Sequence, residues 1–241
     1  MGDSGATINV SADALVYLEQ KFLGLIGKDA ESVELAEWFR DLQATALRQT
    51  ESVKCVGMRR PLPFDDIYQR TSLLVGPDEG EVPTESYAHG DKVSRSILRA
   101  RAHGVKKISI DRFLQRDEDA LIFGGPGWGK TTFLHHVFRS TVKNTDLLPV
   151  LITLRRPNAV ANLERYVGVC SRIQKKARRA CTLLLVDGYD EVNSDDRKRV
   201  SEALLQFQAR RAGKFYLSCR EYYQVGLLDA PEVRLDEFSR D

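Results

Sequence analysis

From residue 119 onward, short continuous apolar runs alternate with stretches of helical periodicity. Ala120–Phe123, Val150–Leu154, Thr182–Val186, Phe215–Ser218 and Glu232–Leu235 read as strands. Lys130 to Lys143, Ala159 to Gly168 and Asp195 to Arg211 read as the helices between them. On the first helix, Phe133, Leu134, Val137 and Phe138 fall on one face. Strands that are apolar throughout, not alternating, are what a sheet buried on both faces requires. The pattern predicts an α/β fold of three layers, with a mostly parallel sheet between helices.

The amino-terminal half follows other periods. Leu15, Leu18, Phe22 and Ile26 recur at helical spacing, with Ser11 as the expected N-cap and Gly27 as the expected stop. A second helix places Leu35, Phe39, Leu42 and Ala46 on one side. Two helices cannot bury such faces against each other alone, so residues 1–50 form a small helical module that packs on the main domain or on a partner. Residues 51–90 read as an extended linker, with Arg60-Pro61-Leu62-Pro63-Phe64 rigid and 76–81 rich in turn residues. A basic helix is expected from Asp91 to His103, closed by Gly104. Residues 91–241 are expected to form the main α/β domain.

Composition narrows the class without naming a partner. The 241 residues are 42% hydrophobic and 29% charged, which suits a globular chain and excludes a disordered one. The net charge of +2 comes from 36 basic and 34 acidic residues and does not call for nucleic acid. Two basic clusters, Arg172 to Arg179 and Lys92 to Lys107, read first as solvated helix faces, with a nucleic-acid surface as the minority reading. Cys55, Cys170, Cys181 and Cys219 have no metal-binding spacing, and Cys181 and Cys219 read as small buried hydrophobes. MGDSGATINV lacks the regions of a signal peptide and no apolar run approaches about 18 residues, so a cytoplasmic location away from membranes is expected.

Gly124-Gly125-Pro126-Gly127-Trp128-Gly129-Lys130-Thr131 matches GxxxxGK[ST] and lies between an expected strand and an expected helix. Glycines let the backbone approach phosphate oxygens closely, and the helix that follows directs its positive end to the same place. In this reading the loop through Thr132 cradles the phosphates, Lys130 reaches the β- and γ-phosphates, and the Thr131 hydroxyl ligates Mg²⁺. The strand Thr182–Val186 runs into Asp187-Gly188-Tyr189-Asp190-Glu191. Ligands of open α/β sheets bind at the carboxyl ends of the strands, so these acids and the loop should meet there. Asp187 is then the direct or outer-sphere Mg²⁺ partner, and Asp190 and Glu191 hold or activate the attacking water. Arg220 ends another strand at the same edge. It contacts the γ-phosphate or, in the plainer alternative, pairs with Glu221 or another nearby acid.

Together, GGPGWGKTTF at 124–133, LPVLITLRR at 148–156, LLLVDGYDEV at 183–192 and YLSCREYY at 216–223 resemble the NACHT family of signal-transducing ATPases with numerous domains, the STAND class of P-loop NTPases. The first and third of these stretches correspond to its Walker A and Walker B motifs. The small residue after Asp187 and the two further acids are the most diagnostic points, and Trp128 departs from the small residue usual in that loop. The resemblance covers about residues 60–240. It implies an ATP site, with GTP as the alternative base, and Mg²⁺. It also implies base contacts from Ile67 and Tyr68, and slow hydrolysis. The implied output is a switch of innate-immune or antiphage type that self-associates or engages a protein partner through residues 1–50. Family members continue into helical and winged-helix domains, so with its end at Asp241 this nucleotide-binding domain is expected to be incomplete at its carboxyl side. Two other readings stay open from the residues alone: an interaction module merely stabilised by nucleotide, and a plain hydrolase or phosphotransferase.

Overall fold

A computed structural model describes residues 10–27, 29–53, 59–68, 73–75, 106–144, 146–176, 181–220 and 228–235. The helix expected at 91–103, the turn at 76–81, Cys55, Arg178 and Arg179 lie outside these residues.

Four adjacent parallel strands make up one side of the sheet: β5 (Ala120–Phe123), β6 (Leu148–Thr153), β7 (Thr182–Asp187) and β8 (Gly213–Cys219). Their residues are buried almost without exception, as continuous apolar runs require. β9 (Glu232–Leu235) pairs in parallel on the other side of β5. Two short strands, β3 (Leu73–Val75) and β4 (Lys106–Ile108), add antiparallel pairs beyond it. The seven strands stand in the order β4-β3-β9-β5-β8-β7-β6. β3 thus brings part of the segment read as linker into the sheet, with Leu73 opposite Leu235 and Val75 opposite Val233.

The connections are α5 (Lys130–Asn144), α6 (Ala159–Lys176) and α7 (Ser194–Arg210). α5 carries the chain across the sheet from β5 to β6, whereas α6 and α7 bring it back one strand at a time. Right-handed crossovers in opposite directions put α5 on one face and α6 and α7 on the other. The packing agrees: α5 lies on β6, β7 and β8, and α6 packs beside α7. α6 runs past Gly168, the expected end, because its buried stripe continues through Cys170 to Ile173.

Helices α1 (Val10–Ile26) and α2 (Ala30–Glu51) belong to the same core. Phe22 and Phe39 stack with ring centroids 4.0 Å apart. α1 packs on α6, α2 packs on α5, and both touch β6. The hairpin therefore straddles the strand at the sheet's edge, a position that would otherwise present unpaired backbone groups. The buried Gln43 amide donates to the carbonyl of Pro149 at 3.0 Å, and Lys21 Nζ donates to that of Leu147 at 3.1 Å. Trp38 Nε1 donates to Asn162 Oδ1 at 3.1 Å, and the Arg165 guanidinium lies over the Trp38 ring. Arg172 of the basic cluster pairs with Glu31 of α2, so this cation serves the helix contact.

Capping differs in part from expectation. α1 starts at Val10, so Ser11 lies inside the helix and is not its cap. Gly27 ends it as expected, at φ +114° with its N–H on the carbonyl of Leu23. α2 is capped by Asp29, whose Oδ1 accepts the N–H of Ser32 at 2.8 Å. Asp29→Ala is expected to cost about 1 kcal/mol and to lower the melting temperature by about 2–4 °C with nucleotide affinity unchanged. Thermal unfolding and calorimetry on one preparation check both parts.

Between the hairpin and β3, the chain makes β1 (Ser52–Val53), β2 (Leu62–Pro63) and the single turn α3 (Phe64–Ile67). Arg139 of α5 holds this segment. Its guanidinium donates to the Thr50 carbonyl at 3.0 Å, pairs with Asp65, and lies over the Phe64 ring. α4 (Ile110–Leu114) precedes β5, and its Phe113 packs on Phe133 and Tyr216. Among the described residues no helix is long and apolar enough to cross a membrane.

Candidate functional site

The loop Gly124–Gly129 leaves β5 at its carboxyl end and leads directly into α5. After β5 the chain moves towards β6, while β9 lies on the opposite side of β5, which makes this the point where strand order reverses. Gly127 and Gly129 adopt φ of +78° and +82°, a left-handed backbone that side chains disfavour. Between them the Trp128 N–H donates to the Gly125 carbonyl at 3.3 Å and closes the turn. The first N–H groups of α5 face back towards the loop, as those of any helix start do.

Trp128 explains a third glycine. A Cβ on Gly125 would fall 2.7 Å from Trp128 Nε1, so the indole folds back over the loop only because residue 125 has no side chain. Pro126 is exposed at the tip, and Thr132 is partly buried in the first turn of α5.

Lys130 Nζ donates to the carbonyls of Gly124 at 2.7 Å and Gly125 at 3.0 Å, which places the ammonium at the loop's mouth. Burial pushes its pKa below the ordinary lysine value, Asp190 and Asp187 push it up, and Arg220 pushes it down. A multiply charged anion at the mouth would compensate the ammonium's lost hydration.

The acidic strand end meets the loop as expected. Thr131 Oγ1 donates to Asp187 Oδ2 at 2.9 Å. The other oxygen, Asp187 Oδ1, accepts from Ser218 Oγ at 2.6 Å, and Ser218 Oγ in turn accepts the N–H of Gly188 at 2.9 Å. Asp187 is only 3% exposed and its carboxylate plane is fixed from both sides. A hydroxyl beside a carboxylate is an all-oxygen pair that suits Mg²⁺, which commonly takes one or two protein oxygens and completes its shell with phosphate and water. The residues present therefore fit the ion, with Thr131 and Asp187 as the groups that would hold it.

Ser218 is the residue that sequence reading missed. Its signal was a lone hydroxyl in the apolar run Phe215–Cys219, visible but without a partner until β8 was found between β5 and β7. His135, one turn beyond Thr131, is 9% exposed, and burial pushes its pKa down despite the opposing field of Asp187.

The remaining acids separate. Gly188 has φ +87°, and Glu191 is exposed with its carboxylate lying over it: a Cβ there would fall 3.0 Å from Glu191 Oε2. A small residue after Asp187 is thus required twice, by backbone and by space. Asp190 turns inward and pairs with Arg220, whose Nε lies 2.8 Å from Asp190 Oδ2. Of the two base-contact residues, Tyr68 stacks on His136 of α5, with centroids 4.1 Å apart. His136 is six residues beyond Lys130, about 9 Å along the helix. The side chain of Ile67, and those of Lys175 and Lys176, lie outside what is described. Cys219 is buried beside this site, and burial pushes its thiol up to about 12, as expected of a small hydrophobe. Cys181 is only partly buried.

No protein-family profile matches the chain, and no curated protein matches it. Among solved structures it is similar to Thermomonospora curvata EccC (ATPases 2 and 3) in complex with a signal sequence peptide. Identity is 15% and the TM-score 0.33, over 80% of this chain and 38% of that one. The chain thus spans well under half of that structure's length, and so slight a likeness carries no argument about ligand or partner. From its own strands, crossovers and loop, the chain is a mixed α/β protein with a seven-stranded, mostly parallel sheet flanked by helices, in the manner of a three-layer P-loop NTPase.

Proposed function

We propose that this chain binds a nucleoside triphosphate with Mg²⁺ on the loop Gly124–Thr132 and hydrolyses it slowly. One observation carries the reading: the Thr131 hydroxyl lies on the Asp187 carboxylate, at the strand-order reversal and beside the Lys130 ammonium. Separate chain segments converge there on the donors that a metal-bound triphosphate needs.

In this reading the loop N–H groups and Lys130 hold the β- and γ-phosphates, and Thr131 and Asp187 hold Mg²⁺. Bound Mg²⁺ supplies charge neutralisation at the phosphates. Ser218 keeps the Asp187 carboxylate in its plane. Tyr68, stacked on His136 beyond the loop, is the residue that this reading assigns to a base contact, and ATP is the expected nucleotide. Glu191, exposed at the turn, is the acid free to hold a water.

The finer reading is a NACHT-like switch in the STAND sense, in which nucleotide state changes self-association. Asp187-Gly188-x-Asp190-Glu191 and the Ser218-Cys219-Arg220 strand end support it. The hairpin α1–α2 is bonded to α5 through Arg139 and the Thr50 carbonyl, which gives a route from the loop helix to residues 1–50. The role in immune or antiphage signalling rests on the resemblance alone.

Calorimetric titration of ATP and ADP, with and without Mg²⁺, into wild type and Asp187→Ala tests the site, with mass measured for each mixture. Wild type is expected to bind ATP about tenfold or more tighter with Mg²⁺. Asp187→Ala should lose that increment and keep its metal-free affinity. An equal Mg²⁺ effect in both proteins would remove Asp187 from the metal site. An unchanged monomer in every mixture would remove the self-association.

A further inference from the structure

Asp190 differs from its two acidic neighbours in what it grips. Its Oδ2 lies 2.8 Å from Arg220 Nε, and its Oδ1 accepts the backbone N–H of the same residue at 3.1 Å. One carboxylate therefore holds one arginine at two points, side chain and main chain. The Asp190 side chain is 4% exposed, while that of Arg220 is 43% exposed. The acid is the buried anchor and the cation is the part that reaches out.

This grip has a geometric consequence. A guanidinium is a rigid planar fork with five N–H donors, so fixing Nε and the adjoining backbone fixes the plane of the other four. They belong to a partly exposed side chain that directly follows β8, the strand between β5, which leads into the loop, and the acidic strand β7. Lys130 lies within electrostatic reach of the pair, since both Asp190 and Arg220 act on its ammonium. A group that holds a water for attack must point an oxygen at the substrate. Both Asp190 oxygens point at Arg220.

We propose that Asp190 is a positioning residue that aims Arg220 at the terminal phosphate, so that the Asp190–Arg220 unit, and not Arg220 alone, distinguishes a nucleoside triphosphate from a diphosphate. This rests on the nucleotide-site reading above and replaces a water-holding role for Asp190.

The test is the ratio of ADP to ATP dissociation constants with Mg²⁺, by calorimetry, for wild type, Arg220→Ala, Asp190→Asn and the double variant, together with single-turnover hydrolysis. Arg220→Ala is expected to reduce the wild-type preference for ATP about tenfold, the worth of one charge-assisted contact. Asp190→Asn should reduce it by nearly as much, and the double variant should lose no more than Arg220→Ala does, because coupled residues are not additive. ADP affinity should stay within about threefold of wild type throughout.

Asp190→Asn that keeps the full preference while hydrolysis falls would overturn the proposal and return Asp190 to the water. The asparagine oxygen still accepts the Arg220 N–H, so the turn should fold. Should it fail to, Arg220→Lys decides: lysine keeps the charge but offers no Nε to the grip, so it must lose the preference as alanine does. Retention of the preference in Arg220→Lys overturns the aim-setting role. Wild type that binds neither nucleotide would instead remove the site reading itself.

Discussion

Lys130→Ala is expected to weaken Mg²⁺–ATP binding at least about 100-fold, a loss of roughly 3 kcal/mol. The ammonium sits 2.7 Å from the Gly124 carbonyl and 3.0 Å from that of Gly125, at the mouth of the loop. From there it can reach the two terminal phosphates. Each charge-assisted hydrogen bond of this kind contributes about 1.5–3 kcal/mol. Alanine removes the charge while leaving the positive-φ glycines at 127 and 129 as they are. Melting temperature without nucleotide should move by less than about 2 °C, since the change is at a partly exposed loop. Calorimetry gives the affinity and thermal unfolding gives the control. Affinity within about threefold of wild type would separate the loop from the binding site.

The second large effect concerns the fold. Gly213 opens β8 against Thr182, the first residue of β7, with Thr182 opposite it in register. A Cβ at 213 would fall 1.9 Å from the Thr182 carbonyl oxygen and 2.4 Å from Thr182 Oγ1. The obstacle is backbone at the centre of a parallel sheet and cannot swing aside as a long side chain would. The same Thr182 hydroxyl donates to the Ala212 carbonyl at 3.1 Å, so any shift also disturbs that bond. Gly213→Ala is expected to cost at least about 3 kcal/mol and to lower the melting temperature by about 6–12 °C. Gly168→Ala is a fair comparison, because a Cβ there meets nothing within 4 Å. Equal melting temperatures for the two variants would contradict the strand register.

These two substitutions divide along a line that the sequence itself only half drew. Lys130 stands out in a one-dimensional reading because the motif around it is local: its glycines, lysine and threonine lie within eight residues, and helix and strand flank it. Gly213 gives no such signal, because what forbids a side chain there is a carbonyl 31 positions away, on a strand paired by the fold.

The acidic turn shows the same division in finer detail. Asp187 could be placed on the loop from strand ends alone, and the Thr131 contact follows from that placement. The roles of Asp190 and Glu191 could not be told apart. They are adjacent and chemically alike, and only the turn after Gly188 sends one inward to Arg220 and leaves the other exposed.

By itself, then, the sequence determined the parallel core strands, the helices between them, the glycine-rich loop after β5 and its meeting with Asp187. Each depends on hydrophobic period or on contiguous residues, which local chemistry dictates. Tertiary structure alone decided that β8 lies between β5 and β7. It therefore also decided that Ser218 fixes Asp187, and, separately, that Leu73–Val75 joins the sheet beside β9. It decided, too, that α1 and α2 cover β6, through contacts such as Gln43 on Pro149. Pairings of this kind join residues far apart in the chain. Their energy comes from burial and from satisfying backbone groups that only the assembled sheet brings together.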